Sequence, residues 1–394
     1  MEIALIATEK LPVPPVRGGA IQIYLQSFSP LVAKKHHVTV FSVRDPDLPD
    51  EDQVDGVDHI HIDADHYVSG VAEHLKTGNF DLVHVCNRPA WIRTLCGAAP
   101  DSKFVLSVHN EMFAPEKISW AEGEACIRLV DQLTTVSDYI GETICERFPE
   151  ARSKVETVNS GVDLDIFKPA WTDEGRVIRN NMRQQLDLEG KKVILFVGRL
   201  SKVKGPHILL EAIPEIVKSH PEAVVVFVGS KWFGENNVNK YVQFLYTLGA
   251  LYPENVRFIK FVKPSDIHKL YTMSDVFVCT SQWQEPLARV HYEAMAAGLP
   301  IITTARGGNS EVINEGQNGF VIEQFEDAGQ YVVKINQLLN DDTLRRRIGE
   351  SGRAYAESRF GWEHVADHLQ QIYERTAYGR GGDSLGRKAS GTSG

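Results

Sequence analysis

The chain has 394 residues, of which 43% are hydrophobic and 24% charged, a composition that excludes a largely disordered protein. At about 100–200 residues per domain, this length predicts two or three domains. Its 52 acidic and 42 basic side chains leave a formal charge of −10, so nucleic acid is not expected as a partner.

The amino terminus and the cysteines predict a cytoplasmic protein. The opening MEIALIATEK has no basic stretch before its apolar run, which favours a strand over a signal peptide. The five cysteines show no CxxC spacing, which is typical of reduced thiols. No apolar run approaches the roughly 18 residues of a membrane span, so membrane association is not indicated.

Short apolar runs alternate with amphipathic stretches along the chain. The first series of predicted strands is 2–7, 38–43, 81–85, 103–108 and 132–136. The second series is 192–197, 223–228, 255–259, 276–279 and 300–303. The longer helical patterns are 206–219, 328–349 and 351–377. Continuous apolar strands that alternate with helices predict an α/β fold of two Rossmann-like, doubly wound domains that face each other across a cleft.

The domain boundaries follow from the changes in composition. We predict an amino-terminal domain over 1–165, joined by a carboxyl-terminal helix at about 360–377. The polar segment 166–190 is predicted to be a hinge, and the second domain spans 191–359. The tail 379–394, rich in glycine and serine, is predicted to be disordered because it has too little apolar surface to bury.

Two strand ends carry residues suited to an anionic ligand. Gly18-Gly19 precedes a helical pattern, where exposed backbone N–H groups bind anions, although an ordinary glycine turn is an equal alternative. Arg199 and Lys204 follow strand 192–197 in GRLSKVKGP, a spacing that suits a diphosphate.

The segment 279–300, CTSQWQEPLARVHYEAMAAGLP, is the most informative. Glu285 lies before a helix predicted from Leu287 to Ala297, beside the N–H groups of residues 287 and 288. Glu293 lies inside that helix among small apolar residues, where a carboxylate requires polar partners. Sugar hydroxyls are suitable partners because a carboxylate accepts two hydrogen bonds from a diol.

Together these motifs resemble the GT-B retaining glycosyltransferases of family 4. The likeness covers about residues 1–375 and rests on four features. They are Gly18-Gly19, the segment VNSGVDLDIFKP at 158–169, the GR…KG pattern of Arg199 and Lys204, and E-x7-E from Glu285 to Glu293 followed by AMAAGLPIIT. Within the family the chain most resembles a spore-coat type, so association with a spore coat is a second expectation for its location.

The resemblance implies a role for each matching residue. Arg199 and Lys204 would hold the donor diphosphate, and Glu293 the ribose. The transferred sugar would be held by Glu285, Pro286, Leu287 and Ala288, with His109 beside it. Gly18 and Gly19 would contact the phosphates from the amino-terminal, acceptor-side domain. Gly229 and Val262 would line the base site.

The resemblance also implies the chemistry. The sugar would leave a nucleotide diphosphate, UDP being favoured, with retention through a same-face displacement, and no cofactor or metal would be needed. Many family members have E-P-F-G where this chain has Glu285-Pro286-Leu287-Ala288, which leaves the sugar open. The nucleotide base (uracil, guanine or adenine), the acceptor (a glycan, a lipid or a small molecule) and the oligomeric state are also open.

Two alternatives to sugar transfer are a GT-B nucleotide-sugar epimerase and a sugar-nucleotide-binding coat protein with vestigial activity. The DxD pairs at Asp45, Asp63 and Asp163 match a metal-binding pattern of other transferases. They lie in polar loops, and cations are already available for the phosphate, so no metal site is predicted.

Overall fold

The structure, a computed structural model, describes residues 1–229, 238–260, 262–263 and 265–379. The predicted disordered tail therefore lies outside the described residues, except for Gly379. The chain divides into two compact units. The first comprises Met1–Thr135, Thr143–Val158 and the chain from Ala366; the second comprises Val136–Glu142 and Asn159–Val365.

The first unit contains an eight-stranded sheet. Its strands are β1 (Glu2–Ile6), β2 (His37–Val43), β3 (Glu51–Val54), β4 (Val57–Ile62), β5 (Leu82–Cys86), β6 (Lys103–Val108), β7 (Gln132–Thr135) and β8 (Val155–Thr157). The order is β3-β4-β2-β1-β5-β6-β7-β8, and only the β3–β4 pair is antiparallel within the described part. Ile3 of β1 pairs with Val38 on one side and with Leu82 on the other.

The second unit contains a six-stranded parallel sheet. Its strands are β9 (Lys192–Val197), β10 (Ala223–Val228), β11 (Val256–Ile259), β12 (Val276–Val278), β13 (Ile301–Thr304) and β14 (Gly319–Ile322). The order is β11-β10-β9-β12-β13-β14. Side chains alternate along β9, so Leu195 packs in one hydrophobic cluster and Phe196 in another. Burial on both faces explains the continuous apolar strands.

Helices follow most strands. Before residue 160 they are α1 (Ala20–Ala33), α2 (Tyr67–Thr77), α3 (Ile92–Ala98), α4 (Trp120–Leu129) and α5 (Asp138–Arg147). After it they are α6 (Asp173–Gln185), α7 (Pro206–Ser219), α8 (Lys240–Gly249), α9 (Ile267–Met273), α10 (Val290–Ala296), α11 (Ala328–Asn340), α12 (Asp342–Arg359) and α13 (Trp362–Tyr378). In the described ranges no helix has the length and apolar character to cross a membrane.

The α/β class with two Rossmann-like sheets is confirmed, and all ten predicted strands are present within two residues of their bounds. The prediction missed β3, β4, β8 and β14. The hairpin of β3 and β4 turns at Asp55-Gly56, both with positive φ, and its edge strand is polar and exposed. The others have only three or four residues. The three-residue β8 (VET) lacks the apolar run on which the prediction depended, whereas β14 (GFVI) is apolar and was simply missed.

Three predicted helical stretches differ from the structure. The stretch 328–349 is two helices, because Asp341 caps the second one through the N–H of Leu344 at 2.8 Å. The continuous helix over 351–377 is wrong, since α12 ends at Arg359 and Val162 pairs with the backbone at 360–361. The helix predicted from Leu287 begins only at Val290.

The segment predicted as a hinge carries helix α6. Arg179 and Arg183 of this helix bind opposite oxygens of Asp275 at 2.5 and 2.8 Å. Burial alone would raise the pKa of Asp275, but the two guanidinium groups outweigh it and the pKa is lowered. The ion pairs hold α6 against the loop before β12, and α6 is part of the second unit.

In each sheet the described strands include a point where the chain crosses from one side of the first strand to the other. In the first unit the chain proceeds from β1 outward to β2 and later returns to β5 on the other side of β1. In the second unit it proceeds from β9 to β10 and later returns to β12. Ligands of such sheets bind beyond the carboxyl ends of the strands at this switch point. The loops after β9 and β12, and those after β1 and β5, are therefore the expected ligand-binding loops.

Candidate functional site

Lys204 and Glu285 meet at the switch point of the second unit. Lys204 follows β9, Glu285 follows β12, and the Lys204 Nζ lies 2.5 Å from the Glu285 Oε2. The two side chains are only 18% and 8% exposed. Two charged groups that are 81 positions apart in the chain thus form one buried ion pair.

A glycine allows the loop of Lys204 to approach the loop of Glu285. Gly205 has φ +67°, and a Cβ there would lie 2.1 Å from the carbonyl oxygen of Thr280. The Thr280 hydroxyl donates to the Lys204 carbonyl at 2.9 Å. The glycine of the KG pattern is therefore required by close backbone contact as well as by its φ.

Glu285 receives three hydrogen bonds on one oxygen. Besides Lys204, Ser281 Oγ and Trp283 Nε1 donate to Oε2 at 2.8 and 2.7 Å. Burial alone would raise the pKa of Glu285, but Lys204 and these donors outweigh it, so the pKa is lowered and the side chain is ionised at neutral pH. Within the described part of the chain, Oε1 has no hydrogen bond and can still accept one.

A glycine turn that the sequence analysis did not single out supports the Glu285 loop. The Gly308 N–H donates to the Glu285 carbonyl at 2.8 Å, and the Gly307 N–H donates to the side chain of Gln284 at 2.7 Å. A Cβ on Gly307 would lie 2.1 Å from the Glu285 carbonyl oxygen, and one on Gly308 would lie 2.2 Å from that of Pro286. The dipeptide Gly307-Gly308 after a strand was the available signal.

The backbone N–H groups of Leu287 and Ala288, both predicted to bind sugar, differ in their hydrogen bonding. The Ala288 N–H donates weakly to Asn309 Oδ1 at 3.3 Å. The Leu287 N–H has no partner among the described residues, and Pro286 has no N–H to offer. Because α10 begins later than predicted, these residues lie in a loop and not in a helical turn.

Glu293 is oriented by a tyrosine from α9. The fully buried Tyr271 hydroxyl donates to Glu293 Oε2 at 2.8 Å, and Arg289 lies 3.9 Å from Oε1. Burial, followed by the charge of Glu293, raises the pKa of Tyr271 well above its usual value, so the hydroxyl keeps its proton and donates. The polar partners required for this carboxylate are thus partly supplied by the protein.

The other predicted donor contacts of the second unit lie at the ends of neighbouring strands. Arg199 follows Gly198 at the end of β9, and the Gly198 N–H donates to the Val228 carbonyl at 3.0 Å. Gly229 has φ +141°, and a Cβ there would lie 2.1 Å from the Gly198 carbonyl oxygen. Val262 packs against the hydrophobic cluster of this unit, so only part of it is accessible.

Gly18 and Gly19 form a left-handed turn before α1 in the first unit. Their φ values are +79° and +103°, and a Cβ on Gly19 would lie 2.2 Å from Gln22 Oε1. Arg17 pairs with Asp45 at 2.9 Å and with Asp47 at 2.6 Å. This DxD pair therefore anchors the glycine turn.

His109 also belongs to the first unit. Its ring contacts Tyr24 edge-on, with 5.0 Å between the centroids, and Nε2 lies 3.1 Å from Ser107 Oγ. Burial lowers the pKa of His109 to about 4, so the imidazole is neutral at neutral pH. In this state it is suited to hydrogen bonding and unsuited to supplying positive charge.

The remaining DxD pairs bind their own backbone. Asp63 accepts from the N–H of Asp65 at 2.9 Å, and Asp163 accepts from the N–H of Asp165 at 2.9 Å. Over the described residues, no three His, Cys, Asp or Glu side chains lie close enough together to hold a metal ion.

Comparison with known proteins gives the same family over both units. The profile of "Glycosyl transferases group 1" matches residues 178–355, and that of "Glycosyltransferase Family 4" matches 21–166. "Spore coat protein SA" of Bacillus subtilis (strain 168) is 63% identical over 375 residues, which are 95% of this chain and 100% of that protein. "Putative glycosyltransferase YtcC" of the same strain is 45% identical over 374 residues, covering 95% of this chain and 92% of the relative. The Anabaena HepE structure in complex with UDP-glucose has a TM-score of 0.73 at 21% identity, over 94% of this chain and 99% of that one.

Proposed function

The chain belongs to glycosyltransferase family 4 and has the GT-B fold, and on this premise we propose that it transfers a sugar from a UDP-sugar with retention of the anomeric configuration and without a metal. The observation that carries the proposal is the buried pair of Lys204 and Glu285 at the switch point of the second unit. The pair places an ammonium group for phosphate next to a carboxylate for sugar hydroxyls.

Lys204 has the capacity to bind the diphosphate without leaving Glu285. An ammonium group has three N–H donors, and Glu285 takes one of them among the described residues. Arg199, from the same loop, supplies the second cation. As the bond between the sugar and the diphosphate breaks, negative charge accumulates on the phosphate oxygens, and these fixed cations stabilise it.

The carboxylates of Glu285 and Glu293 are assigned to different parts of the donor, the sugar and the ribose. Glu285 Oε1 and the Leu287 N–H, both unbonded within the described part, are assigned to the sugar hydroxyls. Glu293 is assigned to the ribose diol, since a carboxylate held by one tyrosine still accepts two further hydrogen bonds. Gly229 and Val262 are assigned to the base.

The first unit supplies the remaining residues of the proposal. His109, neutral at physiological pH, is assigned as a hydrogen-bonding partner of the sugar, and the Gly19 N–H as a backbone donor to the phosphates. The Gly18 N–H donates to the Pro15 carbonyl at 2.8 Å, so Gly18 is assigned to the turn that presents Gly19. The bond from the anomeric carbon to the diphosphate breaks while the acceptor oxygen bonds on the same face. The acceptor proton passes to the leaving phosphate oxygen, so no protein nucleophile is needed.

A nucleotide-release assay on a panel of UDP-, GDP- and ADP-sugars without acceptor tests the donor. Release from a UDP-sugar that is lost in Lys204→Met is the expected result, and EDTA is expected to leave the rate unchanged. Release from a GDP- or ADP-sugar alone would overturn the choice of base, and loss of activity in EDTA would overturn metal independence. The anomeric configuration of the product, read by proton NMR, decides retention.

The vestigial coat-protein alternative predicts nucleotide binding without release from any donor. The relative named for the spore coat supports a spore-coat location as a further proposal. Fractionation of sporulating cells tests that location independently of turnover.

A further inference from the structure

The first unit carries a second ion pair at its own switch point. Glu9 follows β1, Arg88 follows β5, and these strands are neighbours in the sheet. Arg88 donates from Nε to Glu9 Oε2 at 2.7 Å and from a terminal nitrogen to Oε1 at 3.0 Å. Burial alone would raise the pKa of Glu9, but the bonds to Arg88 outweigh it, and the pKa is lowered.

An indole ring accompanies the cation in both units. The Arg88 guanidinium lies 5.5 Å from the ring centre of Trp91. In the second unit the Lys204 ammonium lies 5.8 Å from the ring centre of Trp283. Each switch point therefore combines a carboxylate, a cation and a tryptophan, although the acidic and basic residues come from opposite loops in the two units.

A shallow cavity of about 500 Å³, open to solvent, lies beside the pair in the first unit. It is lined by Glu9, Trp91, Thr94 and the segment 64–69, so it lies between the loops that follow β1, β4 and β5. Its volume is in the range of small-molecule sites, roughly 300–1,000 Å³. The cavity lies within a single unit.

The charges of the side chains that line the cavity disfavour anionic ligands. Glu9 and Asp65 contribute carboxylates, His66 contributes an imidazole, and no lysine or arginine of the described chain lines the cavity. Arg88 and Lys10 both pair with Glu9, so the charge of Glu9 is balanced. Asp65 is exposed, and its carboxylate has no partner among the described residues. An anionic ligand would meet the unbalanced charge of Asp65, whereas a hydroxyl or ammonium group would find an acceptor there.

The geometry points to a binding site for an uncharged or amine-bearing sugar that rejects phosphorylated and carboxylated sugars. The indole offers apolar surface to the C–H groups of a sugar ring, and Ser69, Thr94 and the carboxylates accept from its hydroxyls. Identifying the occupant as the acceptor rests on the proposed function, but binding to the site does not.

Saturation-transfer NMR on the full-length protein without nucleotide tests the site. The probes are glucose, glucosamine, glucuronate and glucose 6-phosphate, which share a ring and differ in charge. We expect transfer to the first two and at least tenfold weaker binding of the two anions. Trp91→Ala should abolish the transfer, whereas Trp120→Ala, which removes a 55% exposed indole from α4, should not.

Asp65→Lys provides a second variant at an exposed position, where folding is not at risk. It should admit glucose 6-phosphate, because it replaces one of the two carboxylates with a cation. The proposal is overturned if neutral sugars give no transfer, if anions bind equally well, or if both Trp91→Ala and Asp65→Lys bind like the wild type. Failure of the proposed function has a different signature: sugars bind here while no nucleotide sugar is released in the donor assay.

Discussion

Replacing Lys204 by methionine separates the stability of the second unit from its activity. Methionine keeps the apolar stem and removes the ammonium group, so it leaves the Glu285 carboxylate buried without its ion pair. Two companion variants complete a thermodynamic cycle. Glu285→Gln removes the other charge, and Lys204→Met/Glu285→Gln removes both.

The structure sets the size of the effect. Removing one member of a buried ion pair typically costs about 3–5 kcal/mol. Here Ser281 and Trp283 still donate to Glu285 Oε2, so we expect a loss of stability just below that range, about 2–3 kcal/mol. For a domain of this size the melting temperature should fall by roughly 5–10 °C. The double variant should regain most of this loss because no unpaired charge remains.

Thermal unfolding followed by circular dichroism measures stability, and nucleotide release measures turnover. Lys204→Met and the double variant should both lose turnover by about 10²–10³-fold, as expected when a fixed group that stabilises developing charge is removed. Wild-type stability in Lys204→Met would refute the buried ion pair. Wild-type turnover in the double variant would refute the assignment of Lys204 to the diphosphate.

Three further predictions concern residues around the two glutamates, Glu285 and Glu293. Gly307→Ala should lower both the melting temperature and turnover, since its Cβ would lie 2.1 Å from the Glu285 carbonyl oxygen. Gly316→Ala is the control for backbone strain, because Gly316 has φ +71° and a Cβ there would have nothing within 4 Å. This control variant should keep its turnover. Tyr271→Phe should weaken UDP binding by calorimetry about 3–10-fold, because Glu293 loses the hydrogen bond that orients it; unchanged affinity would remove Glu293 from the ribose site. His291 is neutral when folded, because Nδ1–H donates to the Ala288 carbonyl at 2.9 Å and Nε2 accepts from Thr303 at 2.7 Å, and burial lowers its pKa to about 4. The unfolded chain, with a pKa of about 6.5, takes up the proton first, so this contribution is complete above about pH 6.5 and declines toward pH 4 by no more than about 3 kcal/mol. In urea unfolding, His291→Gln should show a shallower loss over that interval, and an identical pH dependence would contradict the assignment.

The sequence identified the residues whose chemistry is unusual for their surroundings. Continuous apolar strands alternating with helices predicted two doubly wound sheets, because only strands buried on both faces have that composition. Glu293 was recognisable because a carboxylate among small apolar residues requires polar partners. The polar β3–β4 hairpin was missed because an exposed edge strand needs no apolar run.

The partners of those residues were set by the tertiary structure. The sequence does not indicate that the glutamates would contact Tyr271, Trp283 and the turn at Gly307, since an aromatic residue or a glycine pair fits many local environments. Trp283 lies two residues from Glu285 in the same loop, so its contact is local. Tyr271 of α9 contacts Glu293 of α10, and the turn after β13 contacts the loop after β12, only because folding brings separate elements together. The same topology places Glu9 beside Arg88, 79 positions later in the chain. Sequence composition therefore determined which groups need a partner, and strand order, which depends on packing between distant segments, decided which partner each one has.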